Sequence, residues 1–147
     1  MKILVKIIAS FLYVGYLPIA PGTFGSLAGL LIAWFFTEWN LYFFIFLSSL
    51  GFLVCKVSTK IFDSKDPSYF VMDEVCGMML SLLWIPRIPV LFAAGFVLFR
   101  LADTLKPWPI SLIQKSQRPS SIMEDDLAAG LFVNLLLQIV IKIFRIA

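Results

Sequence analysis

The sequence predicts an all-α membrane protein, a small polytopic bundle built from helical hairpins. Three observations predict it. The 147 residues are 61% hydrophobic and only 14% charged, where a soluble domain carries about 25% charged residues. The mean hydropathy is +0.96. Long apolar runs are interrupted by short Pro-, Gly- or charge-bearing breaks, so the chain turns back on itself repeatedly. The length suits one domain, residues 1–147.

The opening MKILVKIIASFLYVGY has a signal-like charge and apolar core, but no clear small-x-small cleavage site follows. A retained amphipathic or partly inserted helix is expected there. Residues 17–25, LPIAPGTFG, hold two prolines and two glycines and read as a loop. Ser26 opens an apolar run that Glu38-Trp39-Asn40 interrupts before it continues to Cys55. Each arm is short for a span of about 20 residues. The two arms read as a first hairpin, and a single bent helix is the alternative.

Residues 56–74 are polar, with a turn expected at Asp66-Pro67. An apolar arm then runs to Trp84, IPRIP breaks it, and a return arm ends near Lys106-Pro107. This is a second hairpin. Residues 107–121 are polar, and a last apolar segment spans 127–141. Ser121 and Glu124 match a capping box at its start. From Asp126, the residues Gly130, Asn134 and Gln138 recur every fourth position, so a polar and small stripe should face the bundle interior.

Two hairpins return the chain to one side, so the loops at 17–25, 56–74 and 103–126 should share a face. Lys2, Lys6, Lys56, Lys60, Lys65, Lys106, Lys115 and Arg118 would lie there. Arg87, Lys142 and Arg145 would lie opposite, and Arg100 near the membrane. This asymmetry predicts a cytoplasmic face. The basic residues form no run that would suit nucleic acid.

Three acidic clusters converge on that face: Asp73-Glu74, Asp103 and Asp125-Asp126. Carboxylates beside apolar helices are costly, and they mark a pathway, a partner or a metal site. Arg100, Asp103 and Lys106 are spaced i, i+3, i+6 on one helix face. That set suits a phosphate held beside a cation, and taken alone it suits a structural ion pair equally well. Asp73 and Glu74 stand before an apolar helix, where the macrodipole also favours acids. Pro21-Gly22-Thr23-Phe24-Gly25-Ser26 lets backbone N–H groups approach an anion at a helix start, and fits a tight turn as well. Together the groups suit a phosphate held against Mg²⁺, which takes oxygen ligands. Asp73, Asp103 and Asp126 are the expected metal contacts, with Glu74 and Asp125 as ligands or base. Arg100 and Lys106 would hold phosphate oxygens, helped by Thr23 and Ser26. The rival is a non-catalytic cation-binding channel or transporter subunit.

Composition excludes other routes. The chain has no histidine, so histidine relays and histidine metal ligands are absent. Cys55 and Cys76 lack CxxC spacing and read as buried small apolar residues. No Cys-x5-Arg loop or Asp-x-Asp-x-Thr nucleophile occurs. Metal-activated water is the simplest mechanism, with a transient aspartyl-phosphate on Asp73, Asp103 or Asp126 left open.

Four stretches, GYLPIAPGTFGS (15–26), DPSYFVMDEVCGM (66–78), FRLADTLKPWPI (99–110) and IMEDDLAAG (122–130), occur in one order along the chain. In these the chain resembles the phosphatidylglycerophosphatase A family of bacterial membrane lipid phosphatases. The resemblance implies Mg²⁺-dependent hydrolysis of phosphatidylglycerophosphate to phosphatidylglycerol and phosphate in phospholipid biosynthesis. It implies a multi-pass protein of the inner membrane whose site faces the cytoplasm. Asp73-Glu74, Arg100, Asp103, Lys106, Asp125-Asp126, Thr23 and Ser26 fall on the family's motif positions. Cys76, Glu124 and Ser121 depart from its usual residues, and Glu124 stands close enough in sequence to perturb a metal site.

Overall fold

The computed structural model describes residues 2–62, 69–108, 110–114, 118 and 120–146. The turn expected at Asp66-Pro67 and the positions of Lys65 and Lys115 lie outside them. The described residues fold as helices α1 (Lys2–Ala9), α2 (Pro21–Phe35), α3 (Asn40–Phe62), α4 (Met72–Ser81), α5 (Pro89–Leu105), α6 (Ile110–Gln114) and α7 (Ser121–Phe144). Short 3₁₀ turns cover Val14–Tyr16 and Thr37–Trp39. No strand occurs among the described residues, in accord with the all-α expectation.

Helix starts follow local chemistry. Pro21 and Pro89 each take a first-turn position, where a missing N–H loses no intrahelical bond. The expected loop at 17–25 is therefore shorter than predicted: helix α2 begins at Pro21, so Gly22, Thr23, Gly25 and Ser26 lie within its opening turns. The capping box is also corrected. The N-cap of α7 is Ser120, with no side-chain cap bond. The Ser121 hydroxyl donates instead to the Arg118 carbonyl at 2.7 Å, and Glu124 pairs with Arg118 at 2.9 Å.

Helices α4 and α5 pack on each other as the expected second hairpin. Helices α2 and α3 return on one another through the Thr37–Trp39 turn but pack against α4 rather than together, so the first hairpin is open. Glu38 and Arg87 lie at the two far turns. Only two stretches are long and apolar enough to cross a membrane among the described residues, Thr37–Val57 and Ser121–Phe144. At a rise of about 1.5 Å per residue, α2, α4 and α5 fall short of a bilayer core of roughly 30 Å. The polytopic expectation thus narrows to two candidate spans flanked by shorter helices.

Helices α2, α4 and α7 run parallel, and α3 and α5 return antiparallel to them. Glycine sets how closely they cross. A Cβ at Gly29 would lie 2.5 Å from the Val75 carbonyl oxygen, and one at Gly130 would lie 2.3 Å from that of Gly77. Both crossings bring backbone against backbone, which only a side-chain-free residue permits. Around them Met78, Leu82, Phe92, Phe99, Val133 and Leu137 form one core cluster. Val54, Cys55, Met72, Cys76 and Met123 form a second. Both cysteines are buried and neither is in a disulfide, as expected.

Helix α4 is short and ends inside the bundle, where its last carbonyls need partners. Asn134 Nδ2 donates to the Ser81 and Leu83 carbonyls at 3.2 and 2.8 Å, and Asn40 Nδ2 to that of Met79 at 3.2 Å. The Asp126, Gly130 and Asn134 part of the predicted stripe is buried. Gln138 sits at its exposed edge and donates to Asn134 Oδ1 at 2.8 Å. Leu131, Leu135 and Ile139, on another face of α7, are exposed.

Candidate active site

The parallel arrangement brings the N-termini of α2, α4 and α7 to one end of the bundle, beside the C-terminus of α5. Each N-terminus leaves unpaired N–H groups and partial positive charge there. Four elements thus carry the predicted residues to one place: Ser26 from α2, Asp73 and Glu74 from α4, Arg100, Asp103 and Lys106 from α5, Asp125 and Asp126 from α7.

Asp73, Glu74 and Asp126 can each offer an oxygen, and these oxygens lie within 4.8 Å of one another. Asp73 and Asp126 are buried, 7% and 3% exposed. Neighbouring residues on a helix point about 100° apart, so Asp73 and Glu74 need not both face the site. Both do, because they occupy the first turn of α4, where successive side chains reach past the helix end. Glycine opens the other wall: a Cβ at Gly22 would stand 2.3 Å from Glu74 Oε1. Gly22 and Gly130 permit these close approaches by being small, a signal that charge and spacing in the sequence do not carry.

Asp103 stands outside that trio of oxygens. Its Oδ2 accepts from Arg100 Nη1 at 2.8 Å, and its Oδ1 lies 4.0 Å from Lys106 Nζ. Arg100 Nη1 also donates to Ser26 Oγ at 3.2 Å, and Ser26 Oγ donates to the Gly22 carbonyl at 2.9 Å. Lys106 Nζ donates to Asp125 Oδ2, while Asp125 Oδ1 accepts the Asp126 amide at 3.0 Å. Asp73 Oδ1 likewise accepts the Glu74 amide at 3.0 Å. Thr23 is half-buried in the first turn of α2, and its side chain makes no hydrogen bond to the cluster among the described residues. Glu124 turns away to Arg118.

Five carboxylates therefore face two cations. Burial pushes the Asp73 carboxyl well above its ordinary value, and the Glu74 charge adds to this. Burial also raises Glu74, with Asp103 contributing and Arg100 opposing. At Lys106, burial works against the ammonium, but Asp125 outweighs it and holds the pKa above the ordinary lysine value. This excess of negative charge lacks a counter-charge of its own. Glu74 Oε2 and Asp126 Oδ2 are buried with no hydrogen-bond partner among the described residues. A buried acceptor left open is costly, and a cation satisfies it. The donors are all oxygens, which suit a hard ion such as Mg²⁺. The residues present fit such an ion, held by Asp73, Glu74 and Asp126.

Known proteins agree with the reading of the motifs. The family model described as Phosphatidylglycerophosphatase A matches residues 7–141. Phosphatidylglycerophosphatase A of Escherichia coli is 37% identical over 123 residues, covering 79% of this chain and 71% of that protein. Phosphatidylglycerophosphatase A of Haemophilus influenzae is 34% identical over 120 residues, 77% of this chain and 74% of its own. A Bacteroides thetaiotaomicron protein named provisionally as a phosphatidylinositol-3-phosphatase is 30% identical over 137 residues, 85% of this chain and 86% of its own. No solved structure matches the chain. A matched span of this length, with relatives aligned over most of both chains, means that the chain belongs to the phosphatidylglycerophosphatase A family.

Proposed function

We propose that the chain is a Mg²⁺-dependent phosphatase of phospholipid biosynthesis, converting phosphatidylglycerophosphate to phosphatidylglycerol and phosphate at the cytoplasmic leaflet of a bacterial inner membrane. The observation that carries this reading is the pair of open buried oxygens, Glu74 Oε2 and Asp126 Oδ2, beside Arg100 and Lys106. Oxygen ligands and phosphate-binding cations stand side by side, as a phosphomonoesterase needs.

Mg²⁺, when bound, supplies Lewis-acid stabilisation of the phosphoryl charge and makes a water more acidic. The chain does the rest. Arg100, steadied by Ser26 and Asp103, presents N–H groups to the phosphoryl oxygens. Lys106 adds a second charge on exchanging Asp125 for phosphate. Asp125 Oδ2, freed by that exchange, accepts the proton that the attacking water gives up. The N-termini of α2 and α4 add partial positive charge at the same end.

Membrane placement is supported by surface chemistry. The two candidate spans each bury only 28% of their most apolar window within the bundle, so their outer faces need an apolar solvent. Exposed Trp39 and Trp84 lie at one end and Trp108 at the other, as an interfacial belt requires. The ion-pathway alternative expects carboxylates spread through the bilayer depth. Among the described residues only Glu38 stands at the end away from the cluster. The test is phosphate release from phosphatidylglycerophosphate by the purified protein in detergent. Release with Mg²⁺ that EDTA abolishes is expected. Release that persists in EDTA would remove the metal from the reading, and no release would remove the activity.

A further inference from the structure

Beside the polar cluster lies an apolar groove of about 160 Å³ between α5 and α7, lined by Leu98, Leu101, Ala102, Leu105, Pro107, Phe132, Val133 and Leu136. Its position follows from helix periodicity. Leu98, Ala102 and Lys106 are spaced four apart on α5, so one row runs from apolar side chains to the site's ammonium. Asp125, Phe132 and Leu136 are spaced seven and four apart on α7, so a second row runs from carboxylate to apolar side chains. The Lys106–Asp125 ion pair joins the two rows at the polar end of the groove. Leu105 and Pro107, the neighbours of Lys106, line it. Leu98 to Leu105 spans seven residues, about 10 Å of helix.

We propose that this groove holds an acyl chain of a lipid phosphomonoester whose phosphate is engaged at Lys106. The inference rests on the phosphatase reading and adds where the substrate's lipid part lies. A ligand anchored at Lys106 has an apolar row directly beneath its charge, so a diacyl lipid suits the groove better than a soluble phosphate ester. Chain contact along the groove would place the phosphate beside Arg100 and the carboxylate trio.

The test separates binding from turnover. The full chain in detergent micelles is irradiated with phosphatidic acid carrying a diazirine in one acyl chain, and separately with a diacylglycerol carrying the same chain. Labelling concentrated in peptides holding residues 98–107 and 132–136 is expected with the phosphate-bearing lipid, and much less with the uncharged one. Leu136→Trp, and separately Ala102→Leu, should reduce that labelling several-fold. Equal labelling by both lipids, or labelling spread over all exposed apolar helices, overturns the proposal whether or not the protein turns over substrate. In the phosphate-release assay, the same variants should raise KM for diacyl phosphatidylglycerophosphate about tenfold, as the loss of roughly two methylenes of contact predicts. Hydrolysis of its deacylated headgroup should stay unchanged. Equal loss on both substrates, or an unchanged diacyl KM in variants that elute and melt like the parent, contradicts it. Failure of the parent to release phosphate from either substrate contradicts the phosphatase reading, while the labelling pattern still decides the groove.

Discussion

Gly130→Ala adds one methyl group and removes no proposed ligand, so it isolates geometry from chemistry. The new Cβ would stand 2.3 Å from the Gly77 carbonyl oxygen, and ordinary contact begins at 3.4 Å. The obstacle is backbone, which cannot swing aside, so α7 must retreat from α4 by about 1 Å to reach ordinary contact. That shift carries Asp125 and Asp126 away from Asp73 and Glu74. A misplacement of about 1 Å costs on the order of 10²-fold in rate. Stability should change less. Alanine gains about 1 kcal/mol of helix propensity over glycine, against about 1–3 kcal/mol for overpacking. The assay is Mg²⁺-dependent phosphate release alongside a thermal melt in detergent. Gly51→Ala is the control. Its Cβ would approach the Met123 Cε at 2.7 Å, and a thioether end can move. Near-parental activity for Gly51→Ala with a large loss for Gly130→Ala is expected. Activity of Gly130→Ala within about threefold of the parent would refute the argument that this crossing sets the site.

Three further outcomes follow from the same charges. Glu74→Gln and Asp126→Asn should each abolish phosphate release yet raise the metal-free melting temperature, because each removes a buried charge from an acidic cluster; a lower melting temperature with retained activity would contradict this. Lys106→Ala should lose activity and stability together, since it strands Asp125, while Lys106→Arg should recover part of both by keeping the ion pair. Asp73 and Glu74 carry raised pKa values, so between their unfolded and folded values the folded protein binds more protons. Stability of the metal-free protein should therefore fall as pH rises through that window, making it melt higher near pH 5 than near pH 8. Added Mg²⁺ should reverse this at the higher pH, and melts in EDTA across pH check both parts.

Much of the site could be read in the sequence because charge is scarce in an apolar chain. Each carboxylate there needs a reason, and hairpin parity alone put Asp73, Asp103 and Asp126 on one face. The i, i+3, i+6 spacing likewise placed Arg100, Asp103 and Lys106 together. Three features were harder to see. The Pro21 to Ser26 segment looked like loop because it holds Pro and Gly, but proline is welcome in a first turn and the glycines serve close approach. Ser121 and Glu124 matched a capping pattern, yet Arg118 captured both side chains through contacts that a four-residue motif does not contain. The compactness of the Asp73, Glu74 and Asp126 trio depends on how closely α4 meets α2 and α7. Gly29, Gly77 and Gly130 set that distance, and a glycine's contact partner is not written beside it in the chain.

The central claim is that Asp73, Glu74 and Asp126 together hold a divalent cation at the end of the bundle. The most direct measurement is Mn²⁺ titration of the detergent-solubilised protein, followed by electron paramagnetic resonance of the free ion, with Mg²⁺ as competitor. The account predicts saturable binding that Mg²⁺ displaces and that Glu74→Gln and Asp126→Asn each weaken severely. Equal Mn²⁺ binding by parent and both variants, or binding that Mg²⁺ does not displace, would contradict it.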